Sequence, residues 1–192
     1  MSRLPVILDT DDLPLAELHA ARIDGDLIAI GRGFAPFDAH DERSLRARSL
    51  APVALSSGRL IVDRLSAAWV LGACAEPPTV TLCRRVDQRS TALVTSEASV
   101  REVILADDDA VVLGGVTVTT APRTAFDLCL DGGVSDSIAV AALVGLRRNE
   151  LIDIDDVDDA LIAYDRLPHK KRGRRRLSAA RMLVAAQPSL TR

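Results

Sequence analysis

The period of the apolar positions changes several times along the chain, and each change predicts an element. Leu4 to Leu8 is a short apolar run of strand type. Asp11 or Asp12 can cap a following helix, with Pro14 in its first turn. Leu15, Leu18 and Ala21 or Arg22 recur at helical spacing, and Asp24-Gly25 ends the helix. Asp26 to Phe37 reads as two apolar runs around Gly31-Arg32-Gly33, a small hairpin. Asp41 to Leu50 is helical with one polar face, and Asp63 to Gly72 is a second helical pattern closed by its glycine. Strand-like runs then cluster at Thr79 to Cys83, Ala92 to Thr95, Glu102 to Leu105, Ala110 to Leu113 and Val116 to Thr119. Gly114-Gly115 between the last two is a hairpin signal. Helices follow at about Pro122 to Leu130, Ser135 to Arg147, Ile154 to Tyr164 and Arg172 to Ala186. Strands bunched ahead of helices predict an α+β fold rather than alternating βαβ units.

Composition narrows this picture. Hydrophobic residues make up 48 % of 192 positions but aromatics only 3 %, so Leu, Val, Ile and Ala must fill the core. Cys74, Cys83 and Cys129 form no CxxC pair and read as reduced core thiols. No apolar run approaches the roughly 20 residues of a membrane span. Asp9, Asp11 and Asp12 follow the early Arg3, a pattern wrong for a signal peptide, so the expectation is a cytoplasmic protein with no membrane contact.

Charge is distributed unevenly. From Arg166 to Arg192 there are nine bases and no acid, a net +9. The other 165 residues carry 15 bases and all 27 acids, a net −12. A tail this basic can bind phosphates, and Lys170, Lys171, Arg172, Arg174, Arg175, Arg176 and Arg181 are its candidate nucleic-acid contacts. Arg172 and Arg175 or Arg176 can form a helical stripe, with Leu177, Ala180 and Leu183 or Val184 docking the other face. The alternative is a solvated face that pairs with the acidic body.

The order of these segments carries a family resemblance. A helix and hairpin come first, then Arg64-Leu-Ser-Ala-Ala-Trp-Val-Leu-Gly72, then short strands. Val118-Thr-Thr-Ala-Pro-Arg-Thr-Ala-Phe-Asp-Leu128 follows, and Gly173-Arg-Arg-Arg176 lies near the end. Over roughly Asp12 to Gln187 the chain resembles the actinobacterial AbiEi-type antitoxin-like proteins, the antitoxin halves of type IV toxin–antitoxin systems and their solitary relatives. The resemblance implies a DNA-binding, non-enzymatic regulator without a cofactor. It also implies an N-terminal winged helix, a C-terminal α/β domain, repression of its own operon, and a cognate toxin as a possible protein partner. Residues 1–50 then form a shortened winged-helix-like module, and 51–192 the C-terminal domain ending in the basic helix. Two departures stand out. A strand and one helix replace the three helices of a full winged helix. The chain also stops at Arg192, where many relatives begin a nuclease-like domain, which argues against nuclease activity. The runner-up reading is a protein-interaction module that has lost DNA binding; a nuclease-related protein ranks third. Operator, toxin and oligomeric state are not written in the sequence.

Individual motifs weigh differently. A reading helix needs outward Arg, Lys, Asn or Gln, yet the first helix offers Glu17, His19 and Arg22. Residues 1–42 hold three bases against nine acids, a surface that repels duplex. Arg32, at the hairpin tip, is the candidate wing contact. Arg123 and Asp127 lie one turn apart behind Pro122, with Thr119 or Thr120 available as cap. They read as a structural latch, with phosphate or toxin contact by Arg123 as the alternative. Trp69, beside small Ala67 and Ala68, reads as core, or as an anchor for a partner. The acids at 107–109 read as a turn. Those from Asp153 to Asp159 read as a helix start favoured by the dipole rather than as metal ligands.

Overall fold

The computed structural model describes residues 6–38, 41–56, 60–87, 98–164 and 167–186. It is an α+β protein with a two-stranded sheet, a five-stranded mixed sheet and a C-terminal layer of helices. In chain order the first elements are α1 (Leu15–Asp24), β1 (Leu27–Ile30), β2 (Gly33–Pro36), α2 (Glu42–Ser49) and α3 (Ala51–Ala54). Then come β3 (Ile61–Val62), α4 (Arg64–Val70), β4 (Val80–Arg85), β5 (Ala98–Val103), β6 (Ala110–Leu113) and β7 (Val116–Thr119). The helical layer is α5 (Ala121–Leu130), α6 (Asp136–Arg148), α7 (Ile154–Ala163) and α8 (Lys170–Ala185).

The N-terminal hairpin pairs Leu27 with Pro36 and Ile30 with Gly33. Leu8 bridges Phe34 as a one-residue third strand. Leu18 of α1 closes this small core with Leu8, Leu27 and Phe34. The helix cap differs from expectation. The residue before α1 is Pro14, and no side chain caps it. Asp12 and Asp9 instead accept backbone N–H groups of Asp9 and Asp11, so they tie their own turn. Of the predicted strand at Leu4 to Leu8, Leu4 and Pro5 lie outside the described residues.

The larger sheet runs β5-β4-β3-β7-β6. Only β3–β4 and β6–β7 are antiparallel; β3–β7 and β4–β5 are parallel. β3, two residues long, has no period to read, and the sequence pattern does not predict it. It is nonetheless the centre of the sheet, with both residues buried. Observed β5 begins four residues before the predicted run at Glu102, and the predicted strand Ala92 to Thr95 lies outside the described residues. Asp107–Asp109 form a single 3₁₀ turn whose third carboxylate accepts from Ala106 N.

One side of the sheet buries Val62, Val80, Leu82, Val116 and Val118 against Trp69 and Val70 of α4. Trp69 is core, as its small neighbours predict. Ala68 of α4 and Leu71, which ends it, join α5 to α8 in the largest cluster, around Leu128, Leu143, Leu146, Leu161 and Leu177. Among the described residues, no helix is long and apolar enough to cross a membrane.

Candidate nucleic-acid interface and buried charge ladder

α8 decides where the tail charges go. Gly173, Arg176, Leu177 and Ala180 form its buried face. Lys171, Arg174, Arg175, Ser178, Arg181 and Met182 are exposed, at the 3–4 residue spacing of one helix side. The stripe expected from the sequence therefore exists, but with different members. Leu177 and Ala180 dock as expected, and of Leu183 and Val184 it is Val184 that packs against the core while Leu183 is half exposed.

Three candidates leave the stripe. Arg176 is 1 % exposed. Its Nη1 donates to Leu128 O at 2.7 Å and Asp131 O at 2.8 Å, and its Nη2 to Val134 O at 2.8 Å. A guanidinium at these carbonyls satisfies the orphan acceptors at the end of α5 and complements its dipole. Lys170 does the same for α7, with Nζ donating to Ile162 O at 3.0 Å and Tyr164 O at 2.8 Å. Arg172 is half-buried, its guanidinium against Gly132. The remaining four are Lys171, Arg174, Arg175 and Arg181. Arg174 Nε donates to Asp158 Oδ1 at 3.2 Å. Arg175 pairs with Asp136, and Arg181 with Asp155. The Arg176 and Arg175 guanidiniums hold the Asp136 carboxyl below the usual carboxylate range. The acids of α7, expected only to serve the helix dipole, thus also face α8.

Arg32 is exposed at the hairpin tip. The tip itself does not project. Gly31 has φ +56°, and a Cβ there would stand 2.5 Å from Ser49 Oγ and 3.2 Å from the Trp69 ring. The hairpin is therefore seated on α2 and α4, and Ile30 and Ala35 share a cluster with Leu45. Arg32 and Arg48 line an open groove of about 650 Å³ between the hairpin and α2–α3, with Ile7, Val53 and Leu55.

A second charged assembly lies between the sheet and α4–α5. Asp63 is fully buried at the start of α4. Arg101 of β5 donates to it at 2.6 Å and reaches Asp127 of α5 at 2.7 Å. Arg64 links Asp63 to Asp131, both at 3.3 Å. Arg123 links Asp127 at 3.0 Å to Asp109 at 2.8 Å. Four carboxylates and three guanidiniums alternate, so each charge has opposite neighbours, as burial requires. Burial pushes the Asp63 carboxyl up, against the pull of Arg64 and Arg101. The Arg123–Asp127 latch is present as the spacing predicts. Thr120 precedes α5 but makes no side-chain cap; Thr119 Oγ1 instead pairs with Thr124 Oγ1 at 2.7 Å. Asp63 and Arg101 do not stand out in the sequence, because 38 residues separate them.

Among the described residues, no group of three or more His, Cys, Asp or Glu is placed to hold a metal ion. All three cysteines are reduced, and burial pushes the Cys74 thiol up to about 11 and Cys129 up to about 12.

No known family model matches the chain, and no curated protein matches it. Among solved structures, it is similar to the crystal structure of the RV2827C protein from Mycobacterium tuberculosis, with a TM-score of 0.48 and 15 % identity, over 96 % of this chain and 78 % of that one.

Proposed function

We propose that the chain is a non-enzymatic regulatory protein of the AbiEi-antitoxin-like kind, acting in the cytoplasm and binding duplex DNA through the solvent stripe of α8. The observation that supports this is the row Lys171, Arg174, Arg175 and Arg181 on one exposed helix side, with the opposite side docked. The ion pairs on that row are solvent-facing and individually weak, so phosphates can replace the carboxylates. Four phosphate contacts give a log–log salt slope of about −4, shallower than six or seven tail contacts would give. Such binding positions a protein on duplex without reading sequence.

The runner-up is a protein-interaction module that no longer binds DNA, with a toxin or another acidic protein as partner. The seated hairpin favours it, because a tip held on Ser49 and Trp69 does not reach out as a wing does.

Fluorescence anisotropy with a labelled duplex across a salt series separates the two. Replacing Lys171, Arg174, Arg175 and Arg181 by Gln is expected to lower affinity by orders of magnitude at low salt. Replacing Arg22 and Arg32 is expected to change it little. Unchanged binding in the first variant sinks the α8 reading, and lost binding in the second moves the interface to the hairpin.

A further inference from the structure

The acids already seated on the stripe decide how tightly it can take phosphate. α7 runs antiparallel beside α8, with Lys170 at the Ile162–Tyr164 end and Arg181 at the Asp155 end. Arg174 meets Asp158 between them. Asp156 and Asp159 are exposed on the same helix. The Asp155 and Asp158 carboxylates therefore lie in ion-pair contact with the basic row, on a helix whose axis runs one helix spacing away. Such contacts are well inside the Debye length of about 8 Å at physiological salt, so a phosphate nearing α8 experiences both rows. On the other flank, Asp136 holds Arg175.

We infer that Asp155, Asp158 and Asp136 are resident competitors of phosphate and set the nucleic-acid affinity of α8. This rests on the phosphate-binding role proposed for that helix. Arg174, Arg175 and Arg181 must each exchange a carboxylate for a phosphate oxygen, whereas Lys171, for which no carboxylate partner is seen among the described residues, needs no such exchange. Three of the four bases where a polyanion would dock are thereby already paired with carboxylates. Asp136 also serves the buried Arg176, so Asp155 and Asp158 give the cleaner experiment.

The test compares Asp155→Asn/Asp158→Asn with Asp11→Asn/Asp24→Asn, which makes the same charge change at two exposed acids of the N-terminal module. Thermal melts confirm folding, and the single Asp158→Asn variant repeats the comparison with less perturbation. With a labelled duplex of arbitrary sequence at low salt, Asp155→Asn/Asp158→Asn is expected to bind roughly tenfold tighter, and the distant pair no more than about twofold. Equal gains in the two pairs, or no gain in the α7 pair, overturn the inference. So does a gain that survives replacement of the four stripe bases by Gln. Wild-type binding with no extra gain overturns the inference alone. Absence of binding in every variant overturns the phosphate-binding reading, and this inference with it.

Discussion

Arg123 Nε donates to Asp127 Oδ2 at 3.0 Å, one turn along the same helix, while Arg101 from the edge of the sheet holds that same carboxylate oxygen at 2.7 Å. Arg123 also donates to Asp109 at 2.8 Å and to Ile104 O at 3.0 Å. A base near a helix N-terminus opposes the dipole, and these three acceptors explain why it is held there. Arg123→Ala leaves Asp127 with one guanidinium fewer and is expected to cost roughly 3 kcal/mol of stability. Urea unfolding measures that, and anisotropy on the folded protein is expected to find binding unchanged. An unaltered unfolding midpoint with abolished binding would reverse the assignment and make Arg123 a contact residue.

Gly145 lies inside α6, where Gly→Ala ordinarily stabilises a helix by up to about 1 kcal/mol. Here the sign inverts. A Cβ at Gly145 would stand 1.9 Å from Ala73 O, a backbone atom that cannot rotate away. Gly145→Ala is expected to destabilise by about 3 kcal/mol through overpacking. A variant as stable as the wild type would show that α6 can shift away from the α4 terminus.

Asp136 has a folded-state pKa below its usual value of 3.8, because Arg176 and Arg175 bond its charged form. A depressed carboxylate stabilises the fold above the unfolded pKa, and that contribution is lost as pH falls through the folded one. The stability difference between wild type and Asp136→Asn is therefore expected to be constant above about pH 5 and to shrink below 3.8. Unfolding midpoints across this range check it. A difference that grows on acidification would contradict the ion-pair geometry.

Local features of the fold are legible in the order of residues alone. The first hairpin follows from Gly31-Arg32-Gly33 between apolar runs, and the second from Gly114-Gly115. The Arg123–Asp127 pair is legible because four-residue spacing on a helix brings side chains together whatever the rest of the molecule does. The two-residue β3 is illegible for the converse reason. It carries no period, and its place between β4 and β7 is set by partners far along the chain.

The candidate interface divides along the same line. Composition and helical period are enough to find a basic helix with one docked face. They cannot separate Arg175, which is 70 % exposed, from its neighbour Arg176, which is 1 % exposed. That choice depends on where the α5 carbonyl oxygens and Asp136 come to lie.

The sequence by itself determined the α+β class, the order of most elements, a largely aliphatic core and the separation of a +9 tail from a −12 body. Only the tertiary structure decided that part of this separation is bridged in space, by α7 laid antiparallel along α8, and that the body's own charges close the Asp63 ladder beside the sheet. The physical reason is range. Propensity and periodicity act within a few turns of chain, whereas a buried charge is tolerable only beside a partner that packing alone can deliver.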